Sequence, residues 1–257
     1  MTINLFRSRQ LMNILTIAAL LILLNGCFHM KLDTREYRFD PLKRQKTLAI
    51  FLPGRGGSIM DLEQERILDI IRKRKIPIDI ISVDAGLRVY ITRTLIQHLE
   101  TDVMPMVREG QYRNIWLVGN SMGGLGSLLY AREHKEQNIK GIILVGPFLG
   151  DEPVSEEIRD AGGLLRWTPK ETLSENYQRD IWVYLKSCAQ DRAGIYPHLF
   201  LLAGKDDRFH ASHQLLAAAL KDKHVFWAEG GHDWSAWRSA FGAFVEQAPI
   251  DVIFAIP

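Results

Sequence analysis

The sequence predicts an α/β fold in which a mostly parallel sheet is covered by helices on both faces. Short, continuously apolar runs rich in β-branched residues recur along the chain, as in strands that are buried on both faces. Segments with apolar residues at helical spacing lie between them. This alternation is typical of a doubly wound sheet. A chain of 257 residues can form it as one large domain.

Six strands are predicted, and each is bounded by turn or helix signals. The first ends at a proline and is followed by the helical pattern LEQERILDIIRK, and the third is followed directly by the helical pattern SMGGLGSLLYAREH. Helical patterns also follow the second strand and the last two. The predicted strands are TLAIFLP (47–53), IDIISVDA (78–85), NIWLVGN (114–120), IKGIILVGPFL (139–149), HLFLLAG (198–204) and HVFWAEG (224–230).

The interval 151–197 interrupts this rhythm, because it is charged, aromatic and weakly periodic, with Gly162-Gly163 as a breaker. An insertion here starts from the ends of the strands, which is where ligands bind in such sheets. A small cap over a site is therefore predicted. A surface excursion without that role explains the composition equally well. The aromatic side chains of the interval either line an acyl pocket or pack in a core, and packing is favoured for most of them: Trp167, Tyr177, Trp182 and Tyr184.

The amino terminus has the pattern of an export signal. Arg7 and Arg9 precede an uncharged apolar run over 11–24, which is shorter than the ~20 residues of a bilayer-spanning helix. The predicted organisation is therefore a signal peptide over 1–26, a charged tether or edge segment over 27–46, and the α/β domain over 47–257.

The signal ends in Leu-Asn-Gly-Cys, which resembles the bacterial lipoprotein box, although Asn25 departs from the usual small or apolar residue. The resemblance implies that Cys27 receives a diacylglycerol, becomes the first mature residue and is further acylated, for example with palmitate. Phe28 after the cysteine then favours the outer membrane, facing the periplasm. The alternative is a plain export signal with an incidental cysteine. Cys188 has no partner if Cys27 is acylated, so it is predicted to be a packed thiol.

The charge composition gives no reason to expect nucleic acid as a partner. Charged residues make up 24% of the chain and the net charge is +2. The only basic run is RKRK at 72–75, which follows an apolar-periodic segment and is read as a solvated helix end.

Gly119-Asn120-Ser121-Met122-Gly123 fits the pattern G-x-S-x-G between a predicted strand and a predicted helix. A nucleophilic serine must sit on a tight, strained turn, and small flanking residues let strand and helix approach closely. The helix amides that follow would favour a developing oxyanion. An ordinary glycine-rich connection is the competing interpretation of the five residues alone.

The predicted partners of Ser121 lie in later loops, in the chain order serine, acid, histidine. His232 follows the sixth predicted strand on a turn opened by two glycines, and the other histidines lie in less suitable elements. Asp206 and Asp207 follow the fifth strand, where a buried carboxylate could orient the imidazole. The spacing from Gly204 favours Asp207, and the residue that is not used is expected to cap a helix.

The loop LPGRGG (52–57) follows the first predicted strand and can turn backbone amides toward the serine. The amides of Arg55 and Met122 are the predicted oxyanion hole. The loop lacks the G-K-[ST] ending of a phosphate-binding P-loop and the spacing G-x-G-x-x-G, so nucleotide binding is not expected. No cofactor and no metal site are predicted.

These loops together resemble the α/β-hydrolase superfamily over roughly 47–247, and the ending GGHDWSAW is similar to that of small esterases of the esterase-D and feruloyl-esterase type. The resemblance implies an α/β-hydrolase fold and an enzyme that cleaves a small carboxylic ester through a Ser-His-Asp triad. Thioester or amide cleavage needs no different groups, and a non-catalytic binding or scaffold lipoprotein is the alternative. Two features depart from the family: Pro53-Gly54 stands where many members have His-Gly, and the first antiparallel strands are missing unless the segment before Thr47 supplies one.

Overall fold

A computed structural model describes residues 31–135, 137–169 and 177–248. The chain divides into two compact units, Met1–Lys31 and Leu32–Pro257. The predicted signal segment and Cys27 lie outside the described residues.

The described residues form a seven-stranded sheet in the order β1-β3-β2-β4-β5-β6-β7. β1 is antiparallel to β3, and every other neighbouring pair is parallel. The strands are β1 (Thr34–Tyr37), β2 (Thr47–Leu52), β3 (Asp79–Val83), β4 (Asn114–Asn120), β5 (Ile139–Val145), β6 (His198–Gly204) and β7 (Val225–Ala228).

Helices connect the parallel strands and cover both faces of the sheet. A π-helical turn, Leu99–Val103, joins two of them, and a 3-10 turn, Asp222–His224, precedes β7. The α-helices are α1 (Asp61–Gln64), α2 (Ile67–Lys73), α3 (Leu87–Ile91), α4 (Leu95–His98), α5 (Met104–Glu109), α6 (Met122–Glu133), α7 (Glu152–Asp160), α8 (Tyr177–Gln190), α9 (His210–Ala217) and α10 (Trp234–Gln247).

Two hydrophobic clusters, one on each face, hold the sheet between the helices. Successive strand residues point to opposite faces, so Ile50 belongs to the cluster with Leu128 of α6 and Trp182 of α8. Its neighbour Phe51 belongs to the other cluster, with Phe244 of α10. Burial on both faces explains why the parallel strands read as continuous apolar runs.

β1 lies ahead of the predicted domain start at Thr47. Residues 27–46 are predicted as a tether or an edge, and Thr34–Tyr37 are the edge strand, paired with β3. The compact unit Leu32–Pro257 includes this strand. The segment before Thr47 thus supplies an antiparallel strand, the possibility that the sequence pattern leaves open.

The interval 151–197 contains the crossover from β5 to β6. α8 packs on the sheet, and Trp182 and Tyr184 are buried in the same cluster as the strands, as is Trp167 ahead of the helix. Tyr177 is exposed. These aromatic residues except Tyr177 therefore pack in the core. The role of the interval as a cap stays a prediction.

Within the described ranges, no helix combines the length and the apolar character that crossing a bilayer requires.

Candidate active site

Ser121 lies at the end of β4, at the edge where the parallel strands finish, which is called the carboxyl edge below. Its φ of 51° and ψ of −116° are a strained combination for a residue with a side chain. A Cβ on Gly119 would lie 2.2 Å from the carbonyl oxygen of Gly123, and one on Gly123 would lie 1.8 Å from that of Leu52. The motif glycines thus allow backbone contacts that hold the serine turn against the sheet.

His232 joins the serine to the acid. Its Nε2 is 2.9 Å from the Ser121 Oγ, and its Nδ1 is 2.8 Å from the Asp207 Oδ2. An ionised carboxylate can only accept, so Nδ1 donates to Asp207. In the neutral ring Nε2 then carries no proton and accepts from the serine hydroxyl. This is the tautomer that a general base needs.

Asp207 is held as a buried carboxylate. Its side chain is fully buried, and its Oδ1 accepts from the backbone N–H of Phe209 at 2.8 Å. Burial by itself raises the pKa of Asp207, but the hydrogen bonds from His232 and Phe209 and the charge interactions with His213 and His232 together hold the pKa below its ordinary value. Asp206, the alternative acid, is exposed. The structure therefore brings Asp207, and not Asp206, to the histidine.

Two aromatic rings fix the plane of the His232 imidazole. Phe209 and Trp237 each meet it edge to face, at centroid distances of 5.0 and 4.9 Å. Gly146, with a φ of +47°, makes room for this arrangement, because a Cβ there would lie 2.4 Å from the Trp237 Nε1 and 3.0 Å from the Asp207 Oδ2. These two contacts limit rotation of the imidazole while it remains within reach of the serine.

The loop after β2 lies directly against the nucleophile. A Cβ on Gly54 would be 3.1 Å from the Cβ of Ser121, and the Gly54 amide donates to the Asn120 Oδ1 at 2.9 Å. Arg55 follows Gly54, and Met122 follows Ser121, so the two residues predicted to form the oxyanion hole flank this contact. Asn120 had no predicted role, because its partner is 66 residues away in sequence.

His213 in α9 is a buried histidine that no sequence motif marks. It is fully buried, and its Nε2 is 2.8 Å from the carbonyl oxygen of Pro147. Burial lowers the pKa of His213 to about 4. The loop at Pro147 continues into Phe148, whose amide donates to the Ser121 carbonyl at 2.9 Å. A neutral His213 therefore supports the turn that carries the nucleophile.

In the described ranges, no group of three or more histidine, cysteine, aspartate or glutamate side chains has the arrangement of a metal site. Cys188 is a free, partly buried thiol, and burial raises its pKa to about 12. It therefore has little thiolate character at neutral pH.

Residues 84–182, which include the serine turn, match a sequence family described as serine aminopeptidase S33. No curated protein shows significant sequence similarity to the chain. Solved structures are similar over nearly the whole domain, beginning with a ferulic acid esterase (14% identity, 87% of this chain and 98% of the other, TM-score 0.58). The chain has the α/β-hydrolase fold.

Two further structures with the α/β-hydrolase fold come from Staphylococcus aureus. An S-formylglutathione hydrolase is 16% identical, over 85% of this chain and 96% of its own, with a TM-score of 0.55. A fluorophosphonate-binding serine hydrolase is 14% identical, over 84% of this chain and 98% of its own, with a TM-score of 0.51. The fold class predicted from the sequence is confirmed. At these identities the likeness concerns the fold, and chemistry must be argued from the site.

Proposed function

We propose that the protein is a serine hydrolase that cleaves carboxylic esters. The Ser121 Oγ attacks the ester carbonyl while His232 Nε2 takes the hydroxyl proton, and Asp207 stabilises the imidazolium that forms. His232 then gives the proton to the departing alcohol, which leaves an acyl group on Ser121. Water activated by the same histidine hydrolyses this acyl-enzyme and restores the serine.

The observation that carries the proposal is the unbroken chain of hydrogen bonds from Ser121 to His232 to Asp207, at 2.9 and 2.8 Å. A strained serine, a histidine in contact with two aromatic rings and a fully buried carboxylate come from three separate loops. A purely structural role would not require a nucleophile, a base and an acid to meet in this order.

The oxyanion formed during attack requires donors opposite His232. The contact between Gly54 and Ser121 supports the amides of Arg55 and Met122 in this role. Each such donor is worth about 10²–10³ in rate. Esters are the proposed substrate class because an activated serine cleaves them most readily and because esterases are among the similar folds; thioesters and amides would use the same groups.

Fluorophosphonate labelling separates this proposal from a non-catalytic scaffold. The wild-type protein is expected to be labelled and to hydrolyse p-nitrophenyl acyl esters, and Ser121→Ala is expected to do neither. Ser235→Ala, at an exposed position in α10, is the matched control and should react like the wild type. A folded wild-type protein that neither reacts nor hydrolyses any ester of the series would refute the proposal.

The protein is further proposed to be anchored in the bacterial envelope by acyl chains on Cys27. The support is the signal-like segment and the Leu-Asn-Gly-Cys sequence. Two or more chains are enough for stable attachment, whereas one binds only marginally. Metabolic labelling with palmitate should mark the wild-type protein and not Cys27→Ser, and an unlabelled wild type would contradict the anchor.

A further inference from the structure

The chain enters the folded unit at the same edge of the sheet that carries Ser121. Because β1 is antiparallel to β3, its first residue, Thr34, lies opposite Val83, the last residue of β3. The Asp84 amide donates to the Asp33 carbonyl at 2.8 Å, which extends the pairing beyond the end of β3. Leu32 therefore lies at the carboxyl edge.

The entry point is fixed and close to the candidate active site. Leu32 is buried, and its amide donates to the Asp102 Oδ2 at 3.0 Å. β1 is separated from β4 by β3 and β2. With neighbouring strands ~4.8 Å apart, the entry point is only about 14 Å from the line of β4.

The chain between Cys27 and Leu32 is short. Residues 28–31 lie between them. A fully extended chain spans at most ~3.6 Å per residue, so Cys27 cannot be farther than about 18 Å from Leu32. Acyl chains on Cys27 would therefore hold the carboxyl edge close to the lipid surface.

An exposed apolar pair lies beside the entry point. Leu87 and Ile91 in α3 are 39% and 71% exposed. They are four residues apart and so share one helix face. α3 begins just after Asp84, the residue that pairs with Asp33. These side chains and the intervening turn, residues 87–91, are called the α3 surface below.

The charges around the α3 surface nearly cancel. The exposed positive side chains are Arg88, Arg93 and Lys31, and the exposed negative ones are Asp33 and Asp84. Contact with a bilayer would therefore rest on the apolar pair and on the tether, with a small contribution from anionic headgroups.

We propose that the carboxyl edge faces the bilayer that holds Cys27, with Leu87 and Ile91 inserted at the lipid surface, and that the substrate is an acyl ester presented by that bilayer. This rests on the hydrolase and the anchor proposed above. Such an orientation lets an ester-bearing amphiphile reach Ser121 from the lipid surface without crossing bulk water.

Labelling at two exposed positions tests the orientation. The full acylated protein is placed on phosphatidylcholine vesicles, in a Cys188→Ala background, with a fluorophore on Ile91→Cys or on Leu42→Cys. Leu42 is 95% exposed and lies before β2, at the opposite edge of the sheet. Nitroxide-bearing lipids should quench the label at residue 91 at least about twofold more strongly than the label at residue 42. Equal quenching, stronger quenching at residue 42, or a Cys27 that carries no acyl chain would overturn the proposal.

Two substrates test the consequence for catalysis. Leu87→Glu/Ile91→Glu is expected to lower the hydrolysis of a diacylglycerol ester embedded in vesicles by about tenfold, while p-nitrophenyl butyrate in solution is hydrolysed at the wild-type rate. Leu42→Glu should change neither rate. A wild type that hydrolyses the soluble ester but not the embedded one contradicts this inference and leaves the hydrolase proposal standing. A wild type that hydrolyses neither ester and resists fluorophosphonate contradicts the hydrolase proposal itself.

Discussion

At Asn120 a single side-chain oxygen joins the serine turn to the loop after β2. The residue is buried, and its Oδ1 accepts from the Gly54 amide. Arg55, the proposed oxyanion donor, is the next residue along that loop. Asn120 therefore acts as a positioning residue that sets how the loop faces Ser121.

Asn120→Ala is expected to lower kcat about 10- to 100-fold with little change in KM, because the donor is needed mainly in the transition state. The readout is the steady-state hydrolysis of p-nitrophenyl butyrate. Asn114→Ala, at the other end of β4, is the matched control and should retain the wild-type kcat. A change in KM alone would mean that Asn120 serves substrate binding instead.

Protonation of the buried His213 imidazole is expected to lower the free energy of unfolding. Its pKa is lowered to about 4 by burial, whereas an unfolded histidine has a pKa of 6.5. Between these values the unfolded chain binds more protons than the folded one, so the free energy of unfolding rises with pH through this window. The full difference corresponds to about 3 kcal/mol.

His213→Gln removes this titration but can still donate to the Pro147 carbonyl. The wild-type protein should lose about 2 kcal/mol more than the variant when the pH falls from 7 to 5. Urea unfolding at the two pH values measures this, with His198→Gln, at an exposed position, as the control. Equal losses in wild type and His213→Gln would show that His213 is not the group responsible.

The sequence predicts some site residues and misses others. The missed residues have partners that are distant along the chain. Ser121, Asp207 and His232 each stand in a recognisable loop directly after a strand, so local pattern and chain order were enough to choose them. Asn120 and His213 owe their roles to Gly54 and Pro147, each 66 residues away. No local pattern contains that information.

At the scale of elements, the contact of β2 with α6 depends on the absence of a side chain at Gly123. A Cβ there would lie 1.8 Å from the Leu52 carbonyl oxygen, so helix and strand would have to separate. A Cβ on Gly242, inside α10, would meet nothing within 4 Å. Alanine at these two helical glycines is therefore expected to change the free energy of unfolding in opposite directions.

Gly123→Ala is expected to lower the free energy of unfolding by at least about 2 kcal/mol, because the new methyl group is overpacked. Gly242→Ala should raise it by about 0.5–1 kcal/mol, since alanine favours the helix and restricts the unfolded chain. Thermal or urea unfolding of both variants provides the measurement. A destabilised Gly242→Ala, or an unaffected Gly123→Ala, would contradict these contacts.

The strands differ in how well the local sequence predicts them. β4 and β6 match their predicted bounds, 114–120 and 198–204, because strands buried on both faces are continuously apolar. β1 is not among the six predicted strands, because only Tyr37 of its four residues is buried. What makes it a strand is pairing with β3, more than 40 residues later, which the local composition cannot show.

At the scale of the whole molecule, β1 decides where the domain begins. A chain that starts at Leu32 keeps this strand, whereas one that starts at Thr47, the boundary suggested by sequence, leaves the edge of β3 unpaired. An unpaired edge strand loses ladder hydrogen bonds and invites association.

The chain that starts at Thr47 is expected to unfold at least about 5 °C below the chain that starts at Leu32, or to aggregate. Differential scanning fluorimetry and size-exclusion chromatography of the two chains measure these outcomes. Identical melting temperatures with monodisperse profiles would show that β1 is dispensable.

The antiparallel entry of β1 also determines how the domain responds to force. The hydrogen bonds of an antiparallel ladder lie across the strands. A pull on Leu32 along the axis of β1 therefore loads the bonds from Thr34 to Tyr37 together, in shear, and does not unzip them one at a time. β1 is thus expected to resist force applied at the amino terminus. Such a force is distributed over β3 before it reaches the serine turn.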